Sequence, residues 1–439
     1  MQKIYNCLFI LSLLQITQVF GQTNDTTKVE EKPELTKIEK SNSEIINYRR
    51  SSLHTMIIED SKLPKKDLII KTFMEAPFPE KYNNHSVEDK SINLNEYLPE
   101  GIGSIEKKKD EEAAILPAID NYFSQNKVAN KIVAKWFSRD SLGAFSMQLI
   151  QERGLYDASA QAQSIAANTE RGKAMLADAG EDLIPNTFVV VSFSKFVSNE
   201  ITALAAKETA LALADKIAIQ ALKEVAVEAA ENAYEKARQG YSIWTTAYLY
   251  ELNWNDSTSA VFYQNYWMDH NNIDSLKKIA FDTTSLFQLK LVGFQKASAF
   301  ITGLGANAEN EEMIIKNATL KSVDAVYAKL QRKFEKFRTK TPLISIDPLG
   351  AKIGLKEGLE KGDKYEVLEQ VVDEKGKVTY KRKGIITVDK KNIWDNRFAA
   401  GETPLDEEGN PVKLDDAIEF THFKGGKGYY PGMLIRQIN

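Results

Sequence analysis

Cysteine is all but missing from this chain of 439 residues: the one copy, Cys7, lies in an apolar stretch at the N-terminus. Past that point there is no disulfide, no thiol nucleophile and no cysteine-ligated metal site. Histidine is nearly as scarce. His54, His85, His270 and His422 are the only four, and none lies three to five residues from another, so no helical zinc motif is present. Neither a Gly-x-Ser-x-Gly nucleophile elbow nor a Gly-x4-Gly-Lys-Ser/Thr phosphate loop occurs. No motif calls for a cofactor or a metal. Beyond the N-terminus no run approaches the roughly 18 apolar residues that a spanning helix needs. Positive charge is not in excess either: 57 Lys and Arg against 61 Asp and Glu leave a net charge of −4, poor footing for a nucleic-acid partner.

What is present begins with "MQKIYNCLFILSLLQITQVFGQTND", in which Lys3 precedes a short apolar run and Gly21 offers a small residue at a cut. A basic head, a short apolar segment and a small residue describe a secretory signal over 1–21, too short for a permanent anchor. Cleavage removes one lysine and no acid, taking the net charge from −4 to −5. The mature protein is therefore expected to be exported to the periplasm, the outer membrane or the exterior. Residues 22–48 are rich in Lys, Glu, Thr and Ser and bury too little to offset their ordering entropy, so they read as a disordered tether.

Ordered structure is expected from residue 49. "RRSSLHTMIIED" reads as a strand, "KKDLIIKTFMEA" as a short amphipathic helix, and residues from Glu106 as helix interrupted at Pro117. A further helical stretch follows Asp140, a good N-cap residue, and runs in pieces to Ala179. "TFVVVSFSKFV" (187–197) has strand composition. "YSIWTTAYLYELNW" (241–254) sets Trp244, Tyr248, Tyr250, Leu252 and Trp254 at even positions. With the turn "NDSTS" and "AVFYQNYWM" (260–268) it predicts an antiparallel hairpin, with 286–294 and 297–302 as further strands.

Residues 199–239, dominated by Ala, Leu, Glu and Lys, predict one long helix or a tight helical pair ending at Gly240. Peripheral membrane contact is the other reading of that segment, but Lys207, Glu208, Asp215, Lys216, Lys223 and Glu224 interrupt its apolar face too regularly for a span. Residues 310–338 predict another long helix. After Pro342 short strands broken by Gly and Asp, with turns "DEKG" (373–376) and "DEEG" (406–409), predict a small all-β module, a five- or six-stranded barrel. The fold class is thus α+β: a helix-decorated antiparallel sheet over 49–341, then a C-terminal barrel-like module over 342–439.

Several stretches imitate chemistry. Gly303-x-Gly305-x-x-Ala308 has dinucleotide-loop spacing, but Glu309, Glu311 and Glu312 would repel phosphate, and a Gly-rich connection is the better reading. "DHNNID" (269–274) lacks the glycine of a calcium loop and reads as a turn. "TYKRKG" and "FKGGKGYYPG" set lysines beside aromatics as oligonucleotide-binding barrels do, yet solvated strand faces explain them in an exported acidic protein. Glu181 and Asp182 stand in "ADAGEDLIPNTFVVVSF" like acids beside a strand end. Gly180 there suits a helix C′ residue with positive φ, which makes the stretch a hinge from helix to sheet, with Leu183 and Ile184 tucked back.

Asp followed by Ser or Thr and then Thr or Leu recurs at Asp25, Asp140, Asp256, Asp274 and Asp282, like the short O-glycosylation acceptor signal of Bacteroidetes-type bacteria. The stretches "ERGLYDASAQAQ…TERGKAMLADAGEDLIPNTFVVV", "GYSIWTTAYLYELNW…VFYQNYWMD" and "KTPLISIDPLGAKIGLKEG…KRKGIITVDKKNIWDNRF…YYPGMLIRQI" resemble a family of secreted proteins of such bacteria. The resemblance runs from about residue 50 to the end. It implies export and the same domain division, and it brings no activity and no catalytic residue. The expected role is a non-enzymatic envelope component that binds a protein or a surface polymer. Tyr248, Tyr250, Trp254, Tyr263 and Trp267 are the candidate ligand surface, against a core role for aromatics at strand spacing. The enzymatic alternative is a hydrolase of cell-surface glycan with paired carboxylates across a cleft.

Overall fold

The computed structural model describes residues 51–60, 62–100, 108–157, 180–238, 240–302, 311–372, 378–397 and 418–438. The dinucleotide-loop imitation, the "DEKG" and "DEEG" turns, the signal, the tether and the pieces between 158 and 179 lie outside these residues.

The first layer is a mixed sheet. Strand β1 (Ser52–Ile58) is buried at six of its seven positions. Short β2 (Asn83–Asn84) and β3 (Ser91–Ile92) run parallel to it on one side, and β4 (Thr187–Ser198) runs parallel on the other, with Ser52 opposite Thr187. β5 (Gly240–Leu252) and β6 (Leu289–Thr302) continue antiparallel from β4, in the order β2-β1-β4-β5-β6. The run Phe188-Val189-Val190-Val191 is buried throughout because both faces of the sheet are covered.

One face packs against α2 (Lys108–Gln125), α3 (Val128–Trp136), α7 (Asp256–Asn265) and α8 (Ser275–Thr283). There Ile119, Ile132, Trp136, Phe262 and Phe281 meet Met56, Val189, Val191 and Tyr250. The other face packs against α9 (Glu311–Lys333), whose Val326, Tyr327 and Leu330 meet Phe188, Val190 and Leu249. The remaining α-helices among the described residues are α1 (Lys66–Glu75), α4 (Gln148–Asp157) and a pair, α5 (Asn199–Ala214) and α6 (Gln220–Ala237). The pair exposes Ile201, Leu204, Ile219 and Val225. Among the described residues no helix is long and apolar enough to cross a membrane.

The C-terminal strands β7 (Lys340–Ile346), β8 (Leu349–Ala351), β9 (Lys364–Val372), β10 (Val378–Val388), β11 (Thr421–Lys424) and β12 (Leu434–Ile438) close into an antiparallel barrel in the order β10-β11-β8-β7-β12-β9. Leu343, Tyr365, Val367, Ile386, Phe423 and Ile435 fill it. Glu366, fully buried between strands, is bracketed by Arg382 at 2.6 Å and Arg436 at 2.5 Å. A carboxylate removed from water is held only by such pairing.

Four readings need correction. The hairpin expected over 241–268 is a strand followed by helix α7: Asn255 caps it, accepting from the Thr258 amide at 3.0 Å. Residues 286–302 form one strand from Leu289, bulged next to Gly293, where φ is +155° and the Phe334 ring fills the space of a side chain. Pro117 does not end α2; it lies on the exposed side, where water can take the carbonyl it leaves unpaired. Gly180 is helical and absent from the residues with positive φ. Its role is close approach, because a Cβ there would collide with the Ile150 carbonyl of α4.

Candidate functional site

The candidate ligand aromatics are mostly interior. Tyr248, Tyr250 and Trp254 are buried, and Tyr263 and Trp267 pack half-buried on the same cluster around Phe137 and Phe262. They fill the space between sheet and helices, so they present no continuous aromatic surface. Trp244, in the same stripe of β5, is half exposed beyond the helices. Glu181 accepts a hydrogen bond from the Tyr263 hydroxyl, and Leu183 and Ile184 are fully buried behind it.

Three of the recurrent Asp-Ser/Thr sites serve local geometry, and Asp25 lies outside the described residues. Asp274 caps α8, Asp140 accepts from the Ala144 amide at 2.9 Å, and Asp282 pairs with Arg139 at 2.5 Å. Asp269 accepts from the Asn271 amide at 2.9 Å, which makes 269–274 a turn. Among the described residues no group of three or more His, Cys, Asp or Glu is placed to hold a metal.

Two histidines are built into the interior. The His85 Nε2–H donates to the Ile132 carbonyl at 2.9 Å while Nδ1 accepts from Arg153 at 2.9 Å, which fixes one neutral tautomer. The Arg153 guanidinium stacks on Trp136 at 4.2 Å and also donates to Ser52 Oγ. Burial and the neighbouring Arg153 hold the His85 imidazole well below its ordinary range. Burial, with Lys90 and Lys135 nearby, takes His54 down to about 3.

The more enclosed cleft lies where the sheet layer meets the barrel, about 490 Å³ in volume. Its floor is one stripe of α9: Leu320, Val323, Asp324, Tyr327 and Gln331 recur at helical spacing. The loop after α1 forms one wall, with Pro77, Phe78 and Pro79, and the barrel forms the other with Trp394 and Asn396. Direct contacts hold the junction in place. Tyr82 donates to the Phe337 carbonyl at 2.6 Å, Lys81 to the Lys352 carbonyl at 2.7 Å, and Arg332 to the Gly358 carbonyl at 2.8 Å and Asp363 at 2.7 Å.

Three polar groups of this cleft differ in how they are held. Glu357 is saturated: it accepts from the Gly354 amide at 2.8 Å and Asn396 at 2.9 Å, and faces Lys81 at 3.6 Å. Asp324 pairs with Lys356 at 3.5 Å. Tyr327 is different. It is 4 % exposed, and its hydroxyl has no hydrogen-bond partner among the described residues. Burial and the nearby Asp324 push its phenol well above the ordinary range, so it stays a neutral donor. A buried hydroxyl without a partner costs about 1–3 kcal/mol.

None of these cleft residues was singled out from sequence. The nearest signal was Trp394, the one tryptophan of the barrel module. The partners of Asp324 and Glu357 come from other segments, which no local spacing reveals. No family model matches the chain, and no curated protein matches it.

Proposed function

We propose that the protein is an exported, non-enzymatic binding module of the cell envelope. In this reading it seats a segment of an envelope protein or surface polymer in the cleft between sheet and barrel. Export rests on the N-terminal signal pattern. The observation that carries the binding role is the division of labour within the cleft. Two of its carboxylates, Asp324 and Glu357, are tied to lysines and amides, while the apolar walls stay open and the buried Tyr327 hydroxyl in the floor keeps its bond unspent. Concave, largely apolar walls with a few placed polar groups are the usual form of a ligand site. A glycan hydrolase needs one carboxyl kept protonated as acid and another free as base or nucleophile. Ion-paired carboxylates suit neither task.

The test is crosslinking in the native envelope, followed by titration of the recovered partner against wild type, Tyr327→Phe and Trp394→Ala. The expected result is a loss of affinity of about tenfold for each variant, the scale of one hydrogen bond or one aromatic contact. Stability of Tyr327→Phe is expected to be unchanged or raised, because the hydroxyl it removes has no partner to lose. Turnover of a surface glycan that Asp324→Asn and Glu357→Gln both abolish would overturn the reading.

A further inference from the structure

A second, more open cleft of about 650 Å³ lies between α3, the start of α4 and the loop after β2. Lys131, Lys135 and Arg139 line it; Lys131 and Lys135 share one face of α3, about 6 Å apart, and Arg139 follows just past the helix end at Trp136. Like charges at this spacing oppose each other and destabilise a bare helix. Lys131 and Arg139 have acidic partners, Asp89 at 2.7 Å and Asp282 at 2.5 Å.

Lys135 has none among the described residues. Its ammonium donates to the Ser86 carbonyl at 2.5 Å, and burial together with Arg153 and Lys90 lowers its pKa. A half-buried cation among cations is costly unless something negative faces it. The cleft also contains two buried polar atoms with no partner among the described residues, Ser86 Oγ and Arg139 Nε. The acids at its mouth, Glu88 and Glu152, are exposed, and Glu152 accepts from Gln148 at 3.0 Å.

We infer that this cleft binds a tetrahedral oxyanion, a phosphate or sulfate group, through the Lys135 ammonium, the Lys131 side chain and the Ser86 hydroxyl, with Arg139, held by Asp282 and the Lys278 carbonyl, adding positive charge beside them. Ammonium and guanidinium groups make charge-assisted bonds to such oxygens, and an anion here relieves the crowding around Lys135. The volume exceeds what one ion fills, which favours an oxyanion carried as an ester on a sugar. The site shares no residue with the cleft at the barrel.

The experiment is calorimetric titration of the full mature chain with inorganic phosphate, inorganic sulfate, glucose 6-phosphate, glucose 6-sulfate and glucose. The expected result is binding of the two esters, weaker binding of the inorganic ions and none of glucose. Inorganic ions binding as tightly as the esters would place the source as the free ion and leave the oxyanion site standing. Lys135→Gln is expected to weaken the esters at least about tenfold, Lys131→Gln to weaken them less, and Glu152→Gln to tighten them. Tyr327→Phe is expected to change nothing, which separates this site from the barrel cleft. Thermal unfolding and circular dichroism of each variant report folding, and Lys131→Gln, at a more accessible side chain, keeps the test open if Lys135→Gln fails to fold. No binding of any oxyanion, or equal binding by folded Lys135→Gln, would overturn the inference.

Discussion

A buried imidazole that stays neutral makes folding depend on pH, and His54 and His85 both lie fully inside the protein. The unfolded chain takes up protons on both near the ordinary value of about 6.5, while the native state refuses them. The unfolded state therefore binds more protons below that pH, and stability falls as the solution is acidified. For His54, with its native value at about 3, the loss develops between pH 6.5 and 3. Linkage puts its limit at about 4–5 kcal/mol. His54→Asn keeps an acceptor for the Val87 amide, now bonded to Nδ1 at 3.4 Å, and removes the titration. Urea unfolding at pH 7 and pH 4 is expected to show a smaller pH difference for this variant than for wild type, with the residual set by His85. An unchanged difference would remove His54 from the account.

Secondary elements were legible where pattern and local chemistry agreed. β1, β4, α1, α9 and the barrel strands stand close to where composition and periodicity put them, and the Ala-rich stretch is the helical pair that its length allowed. The failure at 255–268 has a physical cause. "NDSTS" supplies turn residues and also an N-cap, and aromatic residues crowd α7 because Phe262 is fully buried while Tyr263, Tyr266 and Trp267 flank it. An apolar run covered on several sides loses its period, and the cap decides. Asn255→Ala is accordingly expected to cost about 1 kcal/mol, read as a lowered Tm. Gly180→Ala, against the Ile150 carbonyl, is expected to cost about 1–3 kcal/mol by overpacking. A glycine chosen for conformation alone would tolerate alanine in a helix and gain stability. The cleft stayed hidden for another reason: its walls come from segments near residues 80, 324 and 394, and only the assembled fold brings them together.

On the scale of the whole molecule, α9 is common property. Its one face completes the core beneath the sheet, and its C-terminal turn reaches the barrel through Arg332, Gly358 and Asp363. Arg332→Ala is expected to uncouple the two parts, splitting or broadening a single calorimetric transition, while the far-ultraviolet spectrum at room temperature holds. One sharp transition at an unchanged midpoint would show that the link carries no cooperativity. The parallel seam between β1 and β4 has a consequence in time rather than in energy. Ser52 has its partner at Thr187, so the first strand cannot find its neighbour until well over a hundred later residues are present. Closing so long a loop is slow. Under the export proposed above, a chain threaded N-terminus first would gain from this delay, since the sheet cannot close before the passage is well advanced.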